Sequence, residues 1–243
     1  DRLDGGAGAN TAAYTLSRGA VQVNLATGSA TGADAAGDTL IAIANLTGSD
    51  HGDLLTGSTA ANVLRGGAGN DTLIGGGGAD KLFGGDGDDT MVGDLALMTA
   101  DGGDGTDFLD LSGLATAVSV NLSDARFTSV EGAIGTALAD TLRGGTGDST
   151  LIGGAGADQL DGGGGSDTAS YATAPTGVTA SLNAPLTNTG HAAGDSYVNI
   201  QNLAGSAHAD LLEGNASANR LDGGAGNDTL RGLGGDDIFM GGA

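Results

Sequence analysis

The chain has 243 residues, 50 of them Gly and 2 Pro, with 30 acids against 8 bases and a formal net charge of −22. It has no Cys, no Trp, 4 Phe and 3 Tyr. That composition excludes disulfide scaffolds, thiolate metal sites and iron–sulfur clusters, and argues against nucleic-acid partners, which require Lys and Arg. No apolar run approaches the ~18 residues that would insert a helix in a membrane. The acids are almost all Asp, with only Glu131 and Glu213 as exceptions. Asp dominates where a short carboxylate acts close to the backbone, as in turns and calcium loops.

In chain order, residues 5–13 form an isolated nine-residue block with Asn10 at its sixth position. Residues 14–47 are poorer in Gly and contain two alternating stretches, AVQVNL (20–25) and TLIAIANL (39–46), which read as strands. From residue 48 the blocks run in register as GSDHGDLLT, GSTAANVLR, GGAGNDTLI, GGGGADKLF and GGDGDDTMV. Their sixth positions are Asp53, Asn62, Asp71, Asp80 and Asp89, and their eighth is apolar. Block 93–101 is degenerate, with Met98 in the acid slot, and 102–110 resumes with Asp107. After a short spacer, 111–134, a second array carries Asp140, Ser149, Asp158 and Asp167. A longer spacer, 171–204, copies 14–47. A third array, 205–243, copies 48–86 and carries Asp210, Asn219, Asp228 and Asp237.

Above the short period lies a long one. Residues 1–86 align without a gap onto 158–243, with 42 identities, so the chain is about one and a half copies of a larger unit. It opens and closes in mid-repeat, as expected of a piece of a longer protein. No stretch has a helical period with caps. The expected fold is all-β: a parallel β-roll, or β-solenoid, with ions between stacked turns and interrupted by Gly-poor β spacer coils.

Geometry supplies the chemistry of the block. Its first six positions form a turn in which Gly permits positive φ, and its last three a short strand with the eighth side chain inward. Two blocks make one coil, so blocks two apart share an edge and their acids stack in a column. Unpaired, such columns repel. A cation between turns bridges them, and oxygen-only donors from carboxylates and bent carbonyls suit Ca²⁺ better than Zn²⁺ or Mg²⁺. The same-edge pairs begin at 48/66, 57/75, 66/84, 84/102, 135/153, 144/162, 205/223 and 214/232, which predicts about eight ions.

The blocks resemble the repeats-in-toxin nonapeptide GGxGxDxUx, with three successive near-perfect copies at 66–92. The resemblance implies a parallel β-roll in which each ion takes carbonyls at positions 2 and 4 plus the sixth acid of one turn. From the turn two blocks on, it takes positions 1 and 3 plus the sixth acid. Carried over, it marks Gly66, Gly67, Ala68, Gly69 and Asp71, then Gly75, Gly76, Gly78 and Asp80, and Gly84, Asp86 and Asp89. One full site would join Gly67, Gly69 and Asp71 to Gly84, Asp86 and Asp89. In the second array it marks Gly153, Gly154, Ala155, Gly156 and Asp158; in the third, Gly223, Ala225 and Asp228. The remaining candidates are the sixth-position residues Asp53, Asn62, Asp107, Asp140, Asp167, Asp210, Asn219 and Asp237.

The resemblance further implies a secreted, extracellular or cell-surface protein, exported by a type I system and folding on Ca²⁺ outside the cell. The leading expectation is a non-catalytic calcium-binding region of surface-layer, adhesin or matrix type. Its partners would be cell-surface polysaccharide, lipopolysaccharide or further copies of itself. The alternative is an accessory module of a secreted protease, lipase or polysaccharide epimerase. Asp38 and Asp195, each in an AAGD sequence, are read as turn caps or additional ligands, and Tyr14 and Tyr171 as packing at array ends.

Overall fold

A computed structural model of the chain describes residues 1–95 and 97–242; Ala243, the last residue of the third array, lies outside them. The described residues fall into two compact units. The first comprises residues 1–110 and 124–130, the second 111–123 and 131–243.

In the first unit, one sheet runs Leu54–Ser58, Thr72–Gly76, Thr90–Val92 and Phe108–Asp110, with each strand parallel to the next. The other runs Thr11–Ala13, Asn45–Thr47, Val63–Ala68, Lys81–Asp86, Thr99–Asp104 and Phe127–Thr128, also parallel. Within the array the register is 18 residues, as in Leu55 beside Leu73 and Leu64 beside Leu82. That offset is two blocks, so alternate blocks build opposite walls of the roll. The eighth-position residues Leu55, Leu64, Leu73, Leu82, Met91 and Leu109 are fully buried between the walls. Each such side chain contributes roughly 1.5–3 kcal/mol of burial.

The second unit repeats this plan with Leu142, Leu151, Leu160, Leu212 and Leu221 in the core. Here the strands are short, as in Thr141–Arg143, Thr150–Ile152, Gln159–Asp161 and Arg220–Asp222. They match the expected positions 7–9. In the first array several strands run on into the following turn: Val63–Ala68, Lys81–Asp86 and Thr99–Asp104 extend pairing to the third position of the next block. The turn there is partly extended backbone, a difference from the sequence expectation.

The spacers are built into the stack. Gln22–Asn24 pairs in parallel with Leu54–Ser58, and Asn45–Thr47 with Val63–Ala68. In the second unit Thr179–Ser181 pairs with Leu211–Glu213, and Ser196–Val198 with Gln159–Asp161. Their excess length leaves the roll as loops. Gln22–Asn24 turns back antiparallel onto Ser29–Thr31, and short 3₁₀ turns occur at Ala33–Ala35, Pro185–Thr187 and Gly190–Ala192. The alternating run 39–46 is two strands, broken at Ala42 by a left-handed backbone (φ 52°).

Candidate metal centre

The sixth-position side chains point inward along the two edges of the roll. Asp53, Asn62, Asp71, Asp80, Asp89, Asp107, Asp140, Asp158, Asp167, Asp210 and Asn219 are all buried, while Asp228 and Asp237 are half-buried. One oxygen of each acid has a fixed duty. Asp71 Oδ1 accepts the Asp53 amide (2.6 Å), Asp89 Oδ1 the Asp71 amide (2.7 Å) and Asp107 Oδ1 the Asp89 amide (2.8 Å). Asp80 does the same for Asn62, Asp158 for Asp140, Asp167 for Ser149, Asp228 for Asp210 and Asp237 for Asn219. The spacers plug into the same ladder, because Asp53, Asp140 and Asp210 accept the amides of Val21, Val118 and Val178.

The second oxygen divides the acids into two kinds. Oδ2 of Asp71, Asp80, Asp89, Asp158, Asp167 and Asp228 is buried and has no hydrogen-bond partner. A carboxylate oxygen buried without a donor is costly. Burial accordingly pushes Asp71 and Asp158 up to about 7 and raises Asp80, Asp89 and Asp167. By contrast, Asp53 Oδ2 accepts the Ser49 amide (2.5 Å), Asp140 Oδ2 the Thr136 amide (2.6 Å) and Asp210 Oδ2 the Ser206 amide (2.6 Å). The hydroxyls of Ser49, Thr136 and Ser206 donate to the same carboxylates. Asn62 and Asn219 are closed in the same way by the amides of Ser58 and Asn215.

The backbone of the second residue separates the two kinds. Where it is Gly with positive φ, as at Gly67 (φ 129°) and Gly154 (φ 93°), the Oδ2 of Asp71 and Asp158 has no partner. Where it is Ser, Thr or Asn, the amide closes on the acid. In the last block Leu233 holds this place with φ 73°, a conformation a branched side chain adopts only under strain.

Several first-position glycines are crowded by oxygens. A side chain on Gly66 would strike Asp71 Oδ2 and, at 2.6 Å, the Gly84 carbonyl. One on Gly84 would strike Asp89 Oδ2 and, at 2.5 Å, the Gly102 carbonyl. Gly135 faces Asp140 Oδ2 and the Gly153 carbonyl, both at 2.6 Å, and Gly205 faces Asp210 Oδ2 at 2.5 Å and the Gly223 carbonyl at 2.6 Å. Gly48, Gly57, Gly144 and Gly214 face the carbonyls of Gly66, Gly75, Gly162 and Gly232. At Asp71 and Asp89 the buried carboxylate oxygen lacks a donor and lies beside a backbone carbonyl, the donor chemistry a hard divalent cation takes; at Asp140 and Asp210 the oxygen already has a donor. Among the described residues no three His, Asp or Glu side chains gather as one ligand group; carbonyls stand beside a single carboxylate at Gly48, Gly66, Gly84, Gly135 and Gly205, and beside Asn62, Ser149 or Asn219 at Gly57, Gly144 and Gly214.

The structure brings Asp71 Oδ2 to the Gly84 carbonyl, whereas Asp89 Oδ2 turns to the next cradle with Gly102. The carbonyls of Gly67 and Gly69 face the Cα atoms of Gly85 and Gly87, and the Asp86 carbonyl accepts the Gly69 amide at 2.7 Å. Gly76 and Gly78 have the positive φ of their class, as does Gly156. Ala68 and Ala155 are half-buried at the third position, and Ala225 is exposed. The nearest atoms to a side chain on Gly75, Gly153 or Gly223 belong to their own acids, Asp80, Asp158 and Asp228. Met98 packs its thioether where the degenerate block lacks an acid, 2.9 Å from a side chain placed on Gly93. Ser149 closes on the Gly145 amide, and Asp148 accepts the Ser166 amide on the outer row.

Asp195 occupies a rung of the ladder: its Oδ1 accepts the Asp158 amide at 2.9 Å. Its Oδ2 accepts the Tyr171 hydroxyl at 2.8 Å, so a phenol closes this acid. Tyr14 makes the matching bond to Asp38 Oδ2 at 3.1 Å. Burial, and then the Asp38 hydrogen bond, raise the Tyr14 pKa; burial and neighbouring Tyr197 and Asp195 raise that of Tyr171. Sequence reasoning missed two groups. The closers Ser49, Thr136 and Ser206 are signalled only by a missing second Gly. The spacer carbonyls of Ser129 and Asn199, which crowd Gly102 and Gly162, carry no side-chain signature.

These features define a parallel β-roll whose stacked turns present rows of cation cradles. The RTX calcium-binding nonapeptide repeat matches the chain in four copies, over residues 47–82, 66–95, 134–169 and 213–243. The chain carries the repeats of that family and is a calcium-binding repeat region. No curated protein matches it.

Proposed function

We propose that this is the non-catalytic, calcium-gated repeat region of a large secreted or cell-surface protein of surface-layer, adhesin or matrix type, one that folds on Ca²⁺ after export. Partnerless Asp Oδ2 atoms along both edges carry the reading. Without a cation they leave buried charge uncompensated on a chain of net charge −22. When bound, Ca²⁺ supplies the positive charge and the oxygen coordination that these edges lack. The proposed ligands are the sixth-position acids with the first-position carbonyls two blocks on. The count is about six to eight, from the named partnerless oxygens to the same-edge pairs.

Extracellular modules bind Ca²⁺ at roughly 10⁻⁴–10⁻³ M, far above free cytosolic levels, so the acid columns would hold the chain loose before export. The 157-residue offset between copies supports an array that builds length. Further copies or anionic surface polysaccharide, bridged through calcium, are the proposed partners. A calcium titration followed by far-UV circular dichroism, with Mg²⁺ as control and bound metal counted, tests the reading. A cooperative coil-to-β transition near millimolar Ca²⁺ supports it. A chain fully folded in chelator, or binding no more than one or two ions, overturns it.

A further inference from the structure

We infer that each copy of the long repeat carries a segment that folds without metal, residues 14–65 and 171–222, and that the calcium-dependent blocks stack on these two islands. The inference rests on the calcium reading of the arrays but concerns the segments in which no cation is needed.

Each segment joins a spacer to the two blocks after it. In the first, Gln22–Asn24 pairs with Leu54–Ser58 and Asn45–Thr47 with Val63–Ala68. In the second, Thr179–Ser181 pairs with Leu211–Glu213 and Asn202–Ala204 with Arg220–Asp222. Val23, Leu46, Leu55 and Leu64 are buried in the one, and Ala180, Leu203, Leu212 and Leu221 in the other. The acids are closed from within. Asp53 takes the amides of Val21 and Ser49, and Asp210 those of Val178 and Ser206. Asp38 and Asp195 take the phenols of Tyr14 and Tyr171. In the second segment Tyr197 shares a hydrogen bond with the Tyr171 hydroxyl (2.5 Å) and accepts Asn188 Nδ2 (2.9 Å), while Asn188 Oδ1 accepts the Ser181 amide (2.8 Å). Among the described residues, no buried side-chain oxygen or nitrogen in either segment lacks a partner. The partnerless oxygens begin at Asp71 beyond the first segment and flank the second at Asp167 and Asp228.

Two asparagines complete the closure. Asn62 and Asn219 stand at the sixth position, where most blocks have Asp. Asn62 Nδ2 donates to the Ala44 carbonyl and Asn219 Nδ2 to the Gln201 carbonyl, each at 2.7 Å. Their Oδ1 atoms accept the amides of Ser58 (2.6 Å) and Asn215 (2.7 Å). An amide both donates and accepts, so it satisfies a carbonyl that a carboxylate could not, and it brings no charge. Charge follows the same division. Residues 14–65 hold 4 acids and 2 bases, and 171–222 hold 4 acids and 1 base, whereas 66–110 hold 10 acids and 1 base. Removing calcium therefore leaves repulsion and unmade bonds in the arrays, and little of either in the two segments. So short a segment buries a small core, and its metal-free protection should fall between that of the melted arrays and that of the calcium-loaded chain.

The test is hydrogen–deuterium exchange of the whole chain, read by mass spectrometry in calcium and in chelator, for wild type and Asn219→Asp. In chelator, residues 66–110 of the wild type should exchange like unfolded chain while 14–65 and 171–222 keep protection. Asn219→Asp removes the donor to Gln201 and adds charge. It should lose the chelator protection of 171–222 alone, with 14–65 as the control inside the same molecule. Uniform exchange along the wild-type chain in chelator overturns the inference, as does protection of 171–222 unmoved by Asn219→Asp. Arrays fully protected in chelator overturn the calcium reading instead. Should Asn219→Asp not fold in calcium, the wild-type comparison decides alone.

Discussion

The acids Asp53 and Asp71 lie 18 residues apart on the same edge, yet they are satisfied in opposite ways. Asp53 receives the amide and hydroxyl of Ser49 and the amide of Val21. Asp71 receives one amide and keeps a buried oxygen with no donor. Asp140 and Asp158 repeat the contrast in the second array, and Asp210 and Asp228 in the third. Each array therefore begins with an acid whose two oxygens the protein itself satisfies, and further along carries acids with a buried oxygen left without a donor. The opening block can pack on a spacer in the absence of metal; the following Gly-Gly blocks cannot complete their edges without it.

The largest predicted effect comes from forcing the second kind into the first. Gly154→Ala places a side chain at φ 93° and against the Thr136 carbonyl. It should destabilise the calcium-loaded chain by about 2 kcal/mol or more, read as a lowered thermal midpoint. No change would mean that the second-position φ does not govern the edge. Next, Asp71→Asn should lower the bound-calcium count and raise the calcium midpoint of folding. Asp53→Asn should leave the calcium midpoint far less changed. Equal shifts from the two would erase the distinction between them.

A change of pH probes the same contrast. In the metal-free chain, Asp71 and Asp158 are raised to about 7 by burial, against ~3.9 for an unfolded Asp. The folded form thus holds protons that the unfolded form has lost between those values. Metal-free stability should rise as the pH falls from about 7 toward 4 and be lost as it returns to 7. Calcium affinity should move the other way, weakening below about pH 7 as protons compete. Circular dichroism of the chelated chain at pH 4.5 and 7.5 checks this, and greater order at 7.5 would contradict it.

Two smaller effects sharpen the picture. Tyr171→Phe removes the donor that closes Asp195 Oδ2 and should cost about 1–3 kcal/mol, in calcium as well as without it. Ser206→Ala removes a hydroxyl from Asp210 but leaves the amide in place. It should cost only about 1 kcal/mol and leave the calcium count unchanged, which metal analysis would show.

Much of this was legible in the residues. The Leu column and the 18-residue register follow from a strict nine-residue period, because two blocks per coil stack identical positions. What escaped lies in backbone conformation and in contacts without a period. Spacer strands join the stack at offsets of 22, 32 and 37 residues, as in Val118 on Asp140, Val21 on Asp53 and Asp158 on Asp195. Nothing in the block pattern encodes those lengths. Ala42, Ser129 and Asn199 all turn left-handed at matching points of the spacers, yet they share no side chain that announces it. The Ser49, Thr136 and Ser206 closures were in plain view as departures from Gly-Gly, but their meaning required the direction of the amide.

The most direct measurement is an anomalous difference map from crystals grown with calcium. Peaks are expected beside Oδ2 of Asp71 and Asp89, near the carbonyls of Gly84 and Gly102, and beside Oδ2 of Asp158 and Asp228. Peaks confined to the exposed outer carboxylates, with these buried oxygens still lacking a partner, would contradict that expectation.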